Sequence, residues 1–548
     1  MYNVLKLPED LDTAIRILER VSSKANGEDL QAIEAHIRTL RLRRGDKFPV
    51  VFDIPFESIS EGPISLAEIP SRRYRFIDAR SLADGARLRV LDFEALPEKR
   101  YVAMSYVWRG IPPPKGTEPG PTLAIEGASN ADPISIDILQ IACRATLHMN
   151  CNLLWIDGFC IKQGDDDDKA WQIQRMYSIY QHCHACLILP GGLSRLVRLD
   201  EETSWVRRAW TLQEALAPSR CEVLYSWTDG PCCLQAIFPA YVDVIVPGRA
   251  AMSNMRQLLD ISIRGEYYIT TLNGDMSSER YPIRLLVNGT EDSVHLHSLI
   301  GALDLQGTDG APSAIWRAAV MRTAYRPVDM VFSIMGLFGV DLDPSKYTAS
   351  DRTLALVDMM RKLLAKGGRA EWLAIVPQIT PGKDLSVLPI IPKPSASGSG
   401  LVISEEIGEI NASRAAGGLI WWLRNTPRGS IDAEGFLTIT APAISVTRIP
   451  VQSDGVPTET HEVKFQDYQG NPWTLAPNPR GCGPYAAKIG NKQNYLSGAY
   501  GTWIDKRSVM VMLVDDGYQG GLRILGYAAV VEELTQLPGW KDKVLRLK

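Results

Sequence analysis

LLWIDGFCIKQGDDDDKAWQIQRMYSIYQHCHACLIL, residues 153–189, is the stretch whose reading decides the fold. Its first nine residues, Leu153 to Ile161, are nearly all apolar, as a strand buried on both faces requires. The acidic run Asp165 to Asp168 precedes a helix, where negative charge complements the helix dipole. That helix starts near Lys169 and sets Ile173, Met176, Tyr177 and Tyr180 on one face. Ala185 to Leu189 is again short and apolar. Strand, helix, strand in this order is a parallel crossover unit.

The same alternation extends outward on both sides. Tyr101 to Val107 (YVAMSYV) reads as a strand and runs into WRGIPPPKGTEPGP, too rich in breakers for regular structure. Asp132 and Pro133 suit an N-cap and first helical position, ahead of a stripe formed by Ile136, Leu139, Cys143 and Leu147. SWVRRAWTLQEALA reads as a helix stopped by Pro218, and CEVLY as a further strand. Residues 73–230 therefore predict an α/β domain with a mainly parallel sheet flanked by helices. Before it, residues 1–72 form a helical arm and linker, with Leu11, Ile15 and Leu18, then Leu30, Ile33, Ile37 and Leu40, at helical spacing. Residues 231–392 read as mostly helical, and IPKPSASGSG near residue 395 as a linker or exposed loop. Residues 393–548 read as a smaller β-rich carboxy-terminal domain, from runs such as GFLTITAPAISVTRI and SVMVMLVDDG.

Composition bounds the function. The 548 residues are 45% hydrophobic and 22% charged with a formal net charge of -4, the profile of a folded chain with no bulk attraction for nucleic acid. The clusters Arg41, Arg43, Arg44 and Arg72, Arg73 are short enough to be solvated helix ends. Nine cysteines, odd in number and thinly spread, fit a reducing compartment. With no secretory leader and no apolar run of roughly 18 residues, the expected address is the cytoplasm, with no membrane span.

Three blocks in order, YVAMSYVWRG (101–110), LWIDGFCIKQGDDDDKAWQIQRMYSIY (154–180) and SWVRRAWTLQEAL (204–216), resemble the fungal heterokaryon incompatibility (HET) family. The family pattern is approximately SYxWG, then LWIDxxCIxQ leading into QIxxMxxIY, then WxxRxWTLQE. This chain departs from it at Arg109 and at Gly158, Phe159 and Lys162. The resemblance is looser through RPVDMVFSIMGLFGV and says little of the carboxy-terminal third. HET domains are similar to TIR domains, so it implies a TIR-like sheet and self/non-self or cell-death signalling in the cytoplasm. In NAD-cleaving TIR domains a glutamate follows an aromatic-rich turn, and Glu214, after Trp210, occupies the matching place.

Helical spacing sets Arg207, Trp210, Thr211 and Glu214 on one face, opposite Trp205, Ala209, Leu212 and Leu216. A carboxylate there could stabilise a ribosyl cation during N-glycosidic scission, with an arginine on the pyrophosphate and a tryptophan on the base. The bland alternative is a Glu214 that pairs with an arginine or faces solvent. Asp157, inside an apolar strand, is the second candidate catalytic residue, or else a structural partner of an arginine or of backbone amides. Ser105, Tyr106, Trp108 and Arg109 are candidate ligand contacts, and Glu214 and Asp157 are expected to face one cleft near them.

Cys160, His182, Cys183, His184 and Cys186 give only half of a paired zinc set, so no metal is expected, and a Cys160/His nucleophilic pair has no second signal. Asp165 to Asp168 lack the spaced calcium loop, and no GxxxxGK[ST] encodes a P-loop. No cofactor is expected, with NAD a candidate substrate. The readings left open are a signalling effector acting through protein partners or self-association, an NAD glycohydrolase with a nucleotide ligand, and a non-catalytic scaffold.

Overall fold

The computed structural model describes residues 50–56, 63–84, 87–97, 100–116, 120–235, 239–264, 268–271, 285–289, 293–379, 387–395, 398–404, 408–416, 421–450, 462–475, 483–494, 508–518 and 520–548, with the single residues 14, 17, 18, 20, 21, 33 and 58. The expected helical arm lies almost entirely outside them, as do Arg41, Arg43 and Arg44. The chain divides into two compact units, Met1–Trp205 with Ala217–Glu291, and Val206–Leu216 with Asp292–Lys548.

The first unit is built on strands β1 (Val50–Pro55), β2 (Tyr74–Asp78), β3 (Arg87–Phe93), β4 (Tyr101–Tyr106), the small pair β5 (Thr122–Leu123) and β6 (Ile134–Ser135), β7 (Leu153–Trp155), β8 (Ala185–Leu189), β9 (Cys221–Ser226), β10 (Cys232–Gln235), β11 (Ala240–Val246), β12 (Ala250–Asn254) and β13 (Tyr268–Thr271). Eleven of them form one sheet in the order β1-β3-β2-β7-β4-β8-β9-β12-β11-β10-β13.

This sheet corrects the expected fold class. Only the β7–β4, β4–β8 and β8–β9 neighbours are parallel; the flanks from β1 to β7 and from β9 to β13 are antiparallel. It is a mixed sheet with long antiparallel wings, not a TIR-like, mainly parallel sheet flanked by helices. The reason is connection length. A parallel return needs a dozen or more residues, whereas only four residues separate β10 from β11 and three separate β11 from β12, among them Gly248 at φ +70°. The same strands open the stretch that reads as mostly helical in the sequence.

The run Leu153 to Ile161 also differs from the expected strand. Only Leu153–Trp155 is extended, and Asp157–Cys160 is one helical turn. The helix after it spans Asp166–His182, with the Asp165 side chain capping Asp168 N. The helix before β7 spans Ile136–His148 and is capped by Ser135 rather than Asp132. Ile138, Leu139 and Ala142 of that helix pack with Val102, Met104, Leu154 and Leu187 of the parallel strands into one apolar core.

The second unit holds the helix Trp210–Leu216, helices Ser293–Asp304, Ala311–Val320, Asp329–Met335 and Arg352–Ala365, and two sheets. Strands β14 (Lys393–Pro394), β15 (Gly400–Ser404) and β16 (Gly408–Asn411) form the smaller one. The stretch expected as a linker near residue 395 carries β14 and the first residue of β15, which pair antiparallel, with Ser395 N donating to Ser399 O; residues 396–397 lie outside the described ones. Strands β17 (Trp421–Arg424), β18 (Gly429–Ile431), β19 (Leu437–Arg448), β20 (Phe465–Gln466), β21 (Pro472–Leu475), β22 (Tyr485–Asn494), β23 (Ser508–Tyr518), β24 (Gly521–Val531) and β25 (Lys541–Leu547) form the larger one. It is antiparallel apart from one β24–β25 bridge.

Candidate functional site

In the first unit the loops leaving β4, β7 and β8 meet beyond the carboxyl ends of the parallel strands, where such sheets place their ligands. Trp108 Nε1 donates to Asp157 Oδ2 at 2.7 Å, and the Gly158 amide donates to Asp157 Oδ1 at 2.6 Å. Both carboxylate oxygens of Asp157 are therefore engaged. Gln163 Nε2 adds a bond to the Asp157 carbonyl at 2.9 Å. The Trp108 carbonyl accepts from Asp132 N, and the Asp132 carboxylate accepts from Gly110 N, each at 2.8 Å. Arg109 is exposed and donates to the Asn130 carbonyl at 3.2 Å.

Two of the departures from the family pattern have physical reasons here. A Cβ on Gly158 would stand 2.6 Å from the Tyr106 hydroxyl, so only glycine lets that tyrosine lie over the turn. Lys162 Nζ donates to the carbonyls of Ala67 and Ile69 at 3.1 and 2.9 Å, which ties the loop to the chain before β2. Gly110 is also irreplaceable, since a Cβ would come within 2.1 Å of the Gly191 carbonyl. Beneath these loops Ser105 is fully buried, and its hydroxyl accepts from Trp205 Nε1 at 2.8 Å.

The acidic run divides into residues with different roles. Asp166 and Asp167 face water, and Asp167 pairs with exposed Arg72. Asp168 is fully buried against Arg75, which is also fully buried. Asp168 further accepts from Arg72 N at 2.7 Å and Lys162 N at 2.9 Å, while Arg75 donates to the carbonyls of Cys160 and Pro70 at 2.8 and 2.7 Å. A buried ion pair is tolerable only when its remaining polar atoms are satisfied in this way. Asp165 is held down to about 2, first by the Ser71 hydroxyl and then by the Asp168 amide. Sequence reasoning missed Arg75; the signal was an arginine between Tyr74 and Phe76 in the short strand YRFID.

The thiols are not poised for chemistry. Burial pushes Cys160 up to about 12, and all eight described cysteines are buried and free of disulfides. Among the described residues no group of three or more His, Cys, Asp or Glu side chains could hold a metal ion. Nor is any described helix long and apolar enough to cross a membrane.

The third block belongs to the second unit from Val206 onward. It is not one continuous helix. Trp205–Arg207 is a single 3-10 turn, and the α-helix begins at Trp210. The interruption has a cause: Ala209 N donates to Thr323 O and Thr323 N to Arg207 O, both at 2.8 Å, which holds residues 207–209 in a ladder instead of a helix. Glu214 is 6% exposed and Arg322 is 2% exposed. Arg322 donates to Thr211 Oγ1 at 2.8 Å and to the Arg208 carbonyl at 3.1 Å. Burial pulls its guanidinium down to about 9, against the opposing charge of Glu214. Half-buried Trp210 hydrogen-bonds Asp329, whose carboxyl burial pushes up to about 6 despite Arg326, that hydrogen bond and Arg208. Asp329 stands in the RPVDMVF segment and was not singled out in the sequence.

The structure thus gathers Tyr106, Trp108 and Asp157 in the first unit, with Ser105 below them and Arg109 at the surface. It places Arg207, Trp210 and Glu214 in the second unit. Residues 101–195 match the model of the family described as Heterokaryon incompatibility protein (HET). The chain therefore carries a HET segment, running from β4 through the loop after β8. It includes the Trp108–Asp157 and Asp168 contacts and ends ahead of SWVRRAWTLQEAL. No curated protein and no solved structure matches the chain.

Proposed function

We propose that this chain acts in heterokaryon incompatibility as a cytoplasmic self/non-self recognition or cell-death signalling protein, and that its HET segment works by association with a protein partner or a second copy. The observation that carries this reading is the HET match at 101–195, whose motif residues converge on the Trp108–Asp157 loop cluster. In that cluster the polar atoms of Asp157 are consumed by positioning bonds. Such bonds suit a loop surface held rigid for recognition more than a carboxylate kept ready for chemistry. The test is induced expression of the full chain in a filamentous fungal cell, with growth and viability followed over the induction. Growth arrest that depends on the HET segment is the expected result, and unimpaired growth at every expression level would overturn the reading.

Hydrolysis of NAD by Glu214 is the weaker account. It rested on a TIR-like sheet, and Glu214 shares its buried site with the Arg322 guanidinium, which suits internal charge balance.

A further inference from the structure

The second unit contains an apolar recess of about 430 Å³, counted out to its open mouth, between helix Ala311–Val320, the segments 372–379 and 387–390, and β24. Its walls include Trp316, Trp372, Val376, Leu388 and Tyr527, with no charged side chain among them. The two indoles differ in one respect. Trp372 Nε1 donates to the Val387 carbonyl at 2.7 Å, whereas Trp316 Nε1, in a residue 1% exposed, has no acceptor among the described residues. A buried donor left without a partner calls for a specific explanation.

The backbone of the wall is strained as well. Ala374 sits at φ +62°, in the left-handed region that a residue with a Cβ rarely occupies. It is 3% exposed, and its backbone amide donates to the Tyr527 hydroxyl oxygen. Strain of this kind persists only where the surroundings over-determine it, and it concentrates at ligand clamps and functional sites.

We infer that this recess is a binding site for a small, flat, uncharged molecule with a hydrocarbon body and one hydrogen-bond acceptor, a carbonyl or ether oxygen, received by Trp316 Nε1. A charged ligand is disfavoured because no charged side chain among the described lining residues would balance its desolvation. The inference is independent of the HET segment, which lies in the other unit.

The probe is 1-indanone, a flat bicycle with one carbonyl, compared with indane, the same body without it. Binding to the full chain is measured by titration calorimetry and by saturation-transfer NMR of the probe. Saturable binding of one indanone per chain is expected, with indane at least five-fold weaker. Trp316→Phe, which keeps a ring and removes the donor, is expected to bring indanone down to the level of indane. Leu388→Trp, at a half-buried position on the wall, is expected to fill the recess and abolish both. Circular dichroism and thermal unfolding establish that each variant is folded, and should Trp316→Phe fail to fold, the indane comparison and Leu388→Trp still decide. No saturable binding to the intact chain, equal binding of indanone and indane, or indanone binding unaffected by Leu388→Trp overturns the inference.

Discussion

Trp108 and Asp157, 49 residues apart in sequence, are joined by a 2.7 Å hydrogen bond from the indole nitrogen to the carboxylate. The bond links the loop after β4 to the turn after β7, and the opposite oxygen of the same carboxylate caps the Gly158 amide. Hydrogen bonds to an ionised group contribute about 1.5–3 kcal/mol each. Asp157→Ala is therefore expected to lower stability by about 2–4 kcal/mol. Asp157→Asn keeps an oxygen for one donor and loses roughly half as much. Denaturant midpoints of the three proteins check this, and an alanine variant as stable as the parent would remove the bond from any role in holding the loops.

Asp167 and Asp168 are adjacent and chemically identical, yet their variants should behave differently. Asp168→Ala strands a fully buried Arg75 guanidinium, and breaking a buried pair in this way costs about 3–5 kcal/mol. The Arg72–Asp167 pair is 59% and 58% exposed at its side chains, so Asp167→Ala should cost under about 0.5 kcal/mol. Soluble yield and thermal midpoint are the readouts. Equal losses in the two variants would contradict the assignment of Arg75 to Asp168.

Two carboxyls in the second unit set a pH dependence with a definite sign. Burial raises Asp329 from 3.8 to about 6 and Glu371 from 4.5 to about 7. Between the unfolded and folded values the folded chain keeps a proton that the unfolded chain has lost, so stability falls as pH rises through that window. The stability of this unit should therefore decline between about pH 4 and pH 7 and flatten above it, by up to about 3 kcal/mol for each group. Asp165, held down to about 2, acts in the opposite sense and only below its ordinary value of 3.8. Thermal midpoints at pH 5.5 and 7.5 for the parent and for Asp329→Asn with Glu371→Gln measure the effect, and the double variant should lose most of the slope.

Glu214 bears on the enzymatic alternative. A carboxylate that stabilises a ribosyl cation has to reach the substrate, whereas Glu214 is 6% exposed and neighbours buried Arg322. We expect purified protein, assayed both dilute and self-associated, to release no nicotinamide from NAD above the blank. Release that disappears in a folded Glu214→Gln protein would establish the hydrolase reading instead.

How much was legible in the sequence follows from the range of each interaction. The strands at 101–106 and 185–189 are short apolar runs bounded by breakers, so local composition marks them. The acidic N-cap at Asp165 is equally local. What stayed hidden depends on contacts far apart in sequence. Nothing near Asp168 distinguishes it from Asp167, because its partner Arg75 is 93 residues away. The 3-10 turn at Trp205 reads as helix by spacing, and only the pairing of residues 207–209 with Thr323 interrupts it. The antiparallel wings were missed for a related reason: apolar content marks a strand, but its direction is set by the connection it makes. Ser105, Tyr106, Trp108 and Asp157 could be named as candidates from their motifs, although the Trp108–Asp157 bond could not.

The most direct measurement is growth of a filamentous fungal cell after induced expression of the full chain, set beside the same chain carrying Asp157→Ala and expressed to the same level of folded protein. If the HET segment signals through the loop surface that Trp108 and Asp157 hold in place, the parent arrests growth and the variant does not. Growth that is equally arrested by both proteins, or by neither, contradicts it.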